Sequence, residues 1–140
     1  MAHATSLEFP FFYAEVENLG RLFYPIVQIQ LKTYLGWQKF DFLVDTGADL
    51  TTIPYSFVKQ LGINTSKLSK SKTQGVGGIT VETWNLKLPI MIGKEIFTIH
   101  ASVVKGNTIP PLLSKKDIFD KRYSLTIDSK RNLTIISKNV

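Results

Sequence analysis

Residues 24–45 read YPIVQIQLKTYLGWQKFDFLVD, and side chains of opposite character alternate along their first arm. Val27, Ile29 and Leu31 fall on one side, and Ile26, Gln28, Gln30 and Lys32 on the other. Successive side chains of a strand point to opposite faces, so this spacing predicts a strand with one buried face. The pattern breaks near Leu35 and Gly36 and resumes at Phe40, which predicts a hairpin whose second arm ends at Asp45. A chain built this way must cover a long apolar face, and a sheet that closes on itself does so.

The rest of the chain fits that expectation. Pro54 and Gly62 bracket a short helix over residues 55–61, since proline suits a first helical turn and glycine a helix end. Residues 75–104 are β-rich runs split by glycines, and residues 115–121 predict a second short helix. The tail predicts strand, turn at 128–132, and strand. Phe9, Phe11, Phe12 and Tyr13 suggest packing in a partly ordered N-terminal extension, residues 1–19, ahead of a single domain at 20–140. With 140 residues, 44% of them apolar, the chain suits one domain with a real core. The expected class is all-β: mostly β with one or two short helices, closed as a small barrel.

Composition removes several chemistries. The chain has no cysteine, so disulfides, thiolate metal sites and a cysteine nucleophile are excluded. Its two histidines, His3 and His100, are far apart in sequence, which argues against a histidine-rich zinc site and leaves a Ser-His-Asp triad little to rest on. The net charge of +6 would suit an acidic partner, but the basic residues are spread, with modest clusters at 67–72 and 115–122. No basic-aromatic motif accompanies them, so solvated surface is the reading and no nucleic acid is expected. No apolar run approaches the ~20 residues of a membrane span. Residues 1–6 do not read as a signal peptide, which favours a cytoplasmic chain.

One place is chemically unusual. In FDFLVDTGADLTTIP, residues 40–54, an apolar strand runs straight into Asp45, Thr46 and Gly47. A buried, ionised, unpaired acid is costly, so Asp45 needs hydrogen bonds, a partner charge or a proton. An ordinary Asp-Thr-Gly turn at a strand end is the plain alternative. The flanks add more. LVDTGADLTTI resembles the active-site signature of the retropepsin-like, or retroviral-type, aspartic proteases. GVGGITVETW at 75–84 resembles their glycine-rich flap, and PPLLSKKDIF at 110–119 their closing aliphatic-pair-and-helix segment.

The resemblance implies a closed barrel with one lobe per chain, paired as a two-fold homodimer. It implies an aspartic endopeptidase that hydrolyses peptide bonds with water activated by paired Asp45 carboxylates, without metal or organic cofactor. Thr46, Gly47 and Ala48 would form the active-site loop, with Thr46 bonding across to the partner's loop. Asp49, Gly75, Gly77, Gly78 and Ile79 would bind an extended peptide, with the flap around 75–79 closing over it. Ile79 and residues 108–111 are candidate pocket linings. The chain has no second Asp-Thr/Ser-Gly: Asp41 and Asp49 flank the first, and Asp128-Ser129 lacks the glycine. A symmetric partner would supply the second Asp45. Two departures stand out. Ser114 and Lys115 replace the family's usual glycine and arginine, the arginine being the ion-pair partner of the acid at Asp49. The strand at 132–137 also extends past the retroviral end of the fold. A weakly active or inactive peptide-binding or dimerisation module on the same fold is the alternative. A basic nucleic-acid-binding barrel would leave the DTGAD run unexplained.

Overall fold

The computed structural model describes residues 6–74, 78–106 and 110–140. The hairpin of the sequence pattern is its first organising unit. β1 (Ser6–Pro10), β2 (Phe12–Val16) and β3 (Gly20–Tyr24) precede the two long arms, β4 (Ile26–Thr33) and β5 (Gly36–Val44). Val27, Ile29 and Leu31 of β4 and Phe42 of β5 are fully buried, as the alternation requires. The turn forms where the pattern breaks. Thr33 Oγ1 accepts the Leu35 N–H and donates to the Gly36 carbonyl, and Gly36 takes φ +99°, which a side chain would resist.

After β5 come β6 (Thr51–Pro54), a 3-10 turn at Tyr55–Phe57, and α1 (Val58–Leu61). Gly62 ends α1 in the left-handed conformation, φ +67°, its N–H on the Lys59 carbonyl. Next are β7 (Lys70–Gln74), β8 (Thr80–Ile92), β9 (Glu95–Val104) and the two-residue β10 (Leu112–Leu113). The strands run in the order β4-β5-β10-β6-β9-β8, and β8 returns to β4 through Gln30 opposite Met91 and Leu31 opposite Ile90. That last pairing closes a six-stranded barrel, with β7 hanging from β8 as an outer arm. Ile53, Ile90, Ile99, Val103 and Leu113 fill its interior beside the hairpin's apolar face. No helix among the described residues is long and apolar enough to cross a membrane.

The second predicted helix is not one. Residues 115–121 hold a single π-type turn at Lys115–Phe119, in which Lys116 is extended and Asp117 is left-handed at φ +67°. The cause is the Asp117 side chain. Its Oδ2 takes both the backbone N–H of His100, at 2.9 Å, and the His100 ring Nδ1, at 2.7 Å. Those bonds tie the turn to β9 and stop a helix from propagating.

The tail forms β11 (Tyr123–Asp128) and β12 (Leu133–Lys138), joined by a turn in which Asp128 Oδ1 accepts the N–H groups of Lys130 and Arg131. β1 pairs antiparallel with the far edge of β12, giving a three-stranded sheet β1-β12-β11. Phe11, next in the chain, is buried, while Phe12 is exposed on the separate β2–β3 ribbon.

Glu95 ties this terminal sheet to the barrel. It starts β9 and meets Lys138 of β12 at 2.6 Å and Arg122, just before β11, at 2.9 Å. Lys138, aided by Arg122 and opposed by burial, holds the Glu95 carboxyl below its ordinary 4.5. Burial, then the charge of Glu95, pushes the neighbouring Tyr123 hydroxyl up to about 12. A depressed carboxyl binds its proton more weakly in the folded chain than in the unfolded one. Its stabilisation is therefore present above about pH 4.5 and is lost as the pH falls through the folded value. Glu95→Gln should lower the melting temperature at pH 7, and the gap from wild type should shrink toward pH 3. Equal gaps at both pH values would remove the ion pairs from the account.

Thr51 and Ser114 form a second, buried tie. Both are fully buried; their hydroxyls lie 3.2 Å apart, and the Ser114 N–H donates to Thr51 Oγ1 at 3.1 Å. A valine at 51 would keep the shape and strand the serine's groups. Thr51→Val should cost about 1–3 kcal/mol in denaturant unfolding, the usual penalty for orphaned buried polar atoms. A loss under ~0.5 kcal/mol would mean that the hydroxyl pair has relaxed elsewhere, without that penalty.

Candidate active site

Asp45 is placed by three backbone hydrogen bonds. β10 lies parallel to the end of β5, so Leu43 N–H donates to the Pro111 carbonyl and Asp45 N–H to the Leu113 carbonyl, both at 2.9 Å. Between them Val44 N–H, pointing the other way, donates to the Pro25 carbonyl at 2.9 Å. Strand β5 is thus held on both edges up to Asp45, and the chain is then free to turn. Val44 is buried and Asp45 half-buried, while Thr46 and Gly47 are exposed. The carboxylate is carried by the core and presented at its surface.

The loop then folds back on the acid. Gly47 N–H donates to Asp45 Oδ1 at 3.1 Å, and Ala48 N–H to the Asp45 carbonyl at 3.2 Å. A Cβ on Gly47 would lie 3.3 Å from Asp45 Oδ1, tighter than ordinary contact. Glycine at 47 therefore lets the backbone come close to the carboxylate. Oδ2 of Asp45 has no hydrogen-bond partner among the described residues, and neither has Thr46 Oγ1.

Asp49 lies on the same loop and is 91% exposed, with Lys115 Nζ 3.5 Å from its Oδ1. The two residues noted as departures thus act on one loop: Ser114 grips Thr51 behind it, and Lys115 reaches Asp49 in front. Sequence reading paired Lys115 with Asp49 but missed the Thr51–Ser114 bond. Two small hydroxyl residues 63 positions apart carry no local signal. It missed the Asp117–His100 clamp for the same reason.

Of the residues assigned to substrate binding, Gly75 and Gly77 lie outside the described residues, as do residues 107–109. Gly78 and Ile79 immediately precede β8, at the open end of the β7–β8 arm. Gly78 has φ +78°, and Ile79 is 68% exposed. At the base of that arm Trp84 packs on Tyr55, ring centroids 5.2 Å apart, so Trp84 is a packing residue. Among the described residues no three His, Asp or Glu side chains converge as metal ligands do.

These features are those of known proteins. The sequence pattern of the aspartyl protease family matches residues 31–115, which includes Asp45 and its loop, β8, β9 and Lys115. No curated protein matches the sequence significantly. Among solved structures, the retropepsin-like aspartic protease of Rickettsia conorii is similar over 99% of this chain and 97% of its own, with TM-score 0.63 and 22% identity. The retroviral protease-like domain of Ddi1 from Leishmania major is similar over 84% of this chain and 94% of its own, with TM-score 0.59 and 14% identity. EIAV protease, solved with the inhibitor HBY-793, is similar over 71% of this chain and 88% of its own, with TM-score 0.53 and 21% identity. At these identities the structures speak to the fold, and the sequence pattern speaks to descent. The chain belongs to the aspartyl protease family and has the retropepsin-like fold.

Proposed function

We propose that the chain is an aspartic endopeptidase that works as a two-fold homodimer. The observation that carries this reading is the presentation of Asp45. Its main chain is fixed on both edges at the end of β5, beside buried Val44, one carboxylate oxygen is pinned by Gly47 N–H, and the other has no partner among the described residues. One carboxylate alone makes half of an aspartic protease site. A second Asp45, brought by an isologous partner, would sit opposite the first with one proton shared between them.

In that arrangement a water lies between the two carboxylates. The ionised Asp45 takes a proton as the water oxygen attacks the scissile carbonyl carbon. The protonated Asp45 hydrogen-bonds to the carbonyl oxygen as charge develops there. When the tetrahedral species collapses, the C–N bond breaks and the proton held by the base passes to the leaving amine. Thr46, whose hydroxyl has no partner among the described residues, would reach the partner's loop and stiffen the pair. Exposed Asp49 would accept substrate backbone N–H groups. Gly78 and Ile79, at the open end of the β7–β8 arm, would form part of a flap that closes on an extended peptide and sheds water. The β2–β3 ribbon enters β4 through Pro25, beside the strand that carries Asp45. Its exposed Phe12 and Phe23 offer apolar surface to the partner copy.

Two outcomes test this reading. Asp45→Asn should abolish peptide cleavage and leave the melting temperature close to wild type, because the amide fits the site but neither shares the proton nor activates water. Near-normal turnover in protein free of contaminating protease would remove Asp45 from the mechanism. Specific activity should also fall on dilution through the dimer dissociation constant, since each monomer brings half of the site. Ultracentrifugation alongside the assay decides this: a fully active monomer contradicts the shared site.

A further inference from the structure

Beside the Asp49 loop lies a hollow of about 330 Å³ lined by Leu50, Asn85, Leu86, Lys87, His100, Ala101 and Lys116. We infer that it is a distal subsite of the peptide cleft, built to take an acidic side chain of the substrate. The inference rests on the proteolytic reading and goes further, to the class of peptide preferred.

Three features of the hollow point the same way. The first is its place. β6 and β9 pair parallel with Thr51 opposite Ala101, so Leu50 comes alongside His100. Leu50 directly follows Asp49, and an extended peptide held by Asp49 has this hollow next along the loop. The second is its wall. Leu50, alongside His100 on the outward face of the sheet, gives an apolar wall on which the methylenes of a glutamate can pack, while Leu86 and Ala101 contribute backbone and turn their side chains to the core. The third is its charge. Lys87 lies directly across the β8–β9 ladder from His100, and Lys116 sits next to Asp117. Both lysines are exposed, and neither has an acidic partner within ion-pair reach among the described residues.

One carboxylate opposes them, and it is engaged. Asp117 Oδ2 is held by the N–H and ring nitrogen of His100. Those bonds, the backbone one first, and more weakly the charge of Lys116, keep its carboxyl below the ordinary range. The bonds also fix the turn that aims Lys116. The hollow therefore presents two exposed ammonium groups beside the apolar Leu50, and Asp117, the acid nearest Lys116 in the chain, is already bonded to His100. A glutamate satisfies both parts, whereas a lysine meets like charge and a glutamine forgoes the attraction.

The test is steady-state cleavage of matched peptides carrying Glu, Gln or Lys at each position along the substrate in turn. At one position away from the scissile bond, Glu should raise kcat/KM about three-fold or more over Gln. That is the scale of one or two partly exposed ion pairs. The preference should fade at 1 M salt, where the screening length is about 3 Å. In the double variant Lys87→Glu, Lys116→Glu, it should reverse to favour Lys at that position. The milder pair Lys87→Gln, Lys116→Gln should abolish it, and this covers a charge swap that fails to fold. Peptides that are cleaved equally well with Glu and Gln at every position would overturn the subsite and leave the protease reading standing. An acidic preference untouched by both variants would also overturn it, by placing the acid elsewhere. If the wild-type protein cleaves none of the peptides, the protease reading falls and the subsite with it.

Discussion

The structure turns on the insertion of two residues, Leu112 and Leu113, between β5 and β6. This short strand runs parallel to β5 and antiparallel to β6, so it joins two strands that would otherwise have no common neighbour. Without it the barrel has a gap, and the backbone groups at the end of β5 lose their partners. With it, Asp45 N–H finds the Leu113 carbonyl and the strand stays regular up to the acid. Leu113 itself is fully buried, so the same residue fills the core and positions the carboxylate. A strand this short has few hydrogen bonds of its own. It depends on the next residue, Ser114, whose hydroxyl and N–H lock it to Thr51 of β6.

Much of this was legible in the sequence because the signals were local and periodic. The β4–β5 hairpin could be read because buried side chains recur at every second position, and because Gly36 marks the turn. α1 could be read from Pro54 and Gly62. The strand–turn–strand tail was legible because Asp128 and Asn132 mark its turn. Asp45 was legible from its neighbours: an acid at the end of an apolar run is expensive unless something is done with it. Burial of the strand and exposure of the loop show what is done.

What escaped reading depends on contacts between distant residues. The helix expected at 115–121 had an acceptable local pattern, and one side chain overrode it. By reaching across to His100, Asp117 takes a left-handed conformation that no propensity argument would assign to aspartate at a helix start. The same holds for β1. Ser6–Pro10 carries a weak signal of its own and becomes a strand because β12 offers it an edge. That the sheet closes was expected, but the pairing that closes it, two facing pairs between β4 and β8, has no mark near those residues.

Lys115 shows how such distant contacts bear on function. An arginine at this position could grip both carboxylate oxygens of Asp49 in a fixed fork, and that would hold the acid to its own chain. A lysine is a single point charge on a flexible stem, here 3.5 Å from one oxygen of an acid that is 91% exposed. Exposed pairs of this kind contribute little to stability. The ion pair is thus poorly suited to holding the loop, and the loop does not need it. The buried hydroxyl bond between Thr51 and Ser114 lies directly behind and is shielded from water. Serine in place of glycine supplies that bond, and lysine in place of arginine loosens the one in front. The two changes make sense together: rigidity moves to the buried side of the loop, and Asp49 is left with an oxygen free to meet an incoming peptide N–H on the proposed reading. The loop that presents Asp45 is held from behind, where a substrate does not compete.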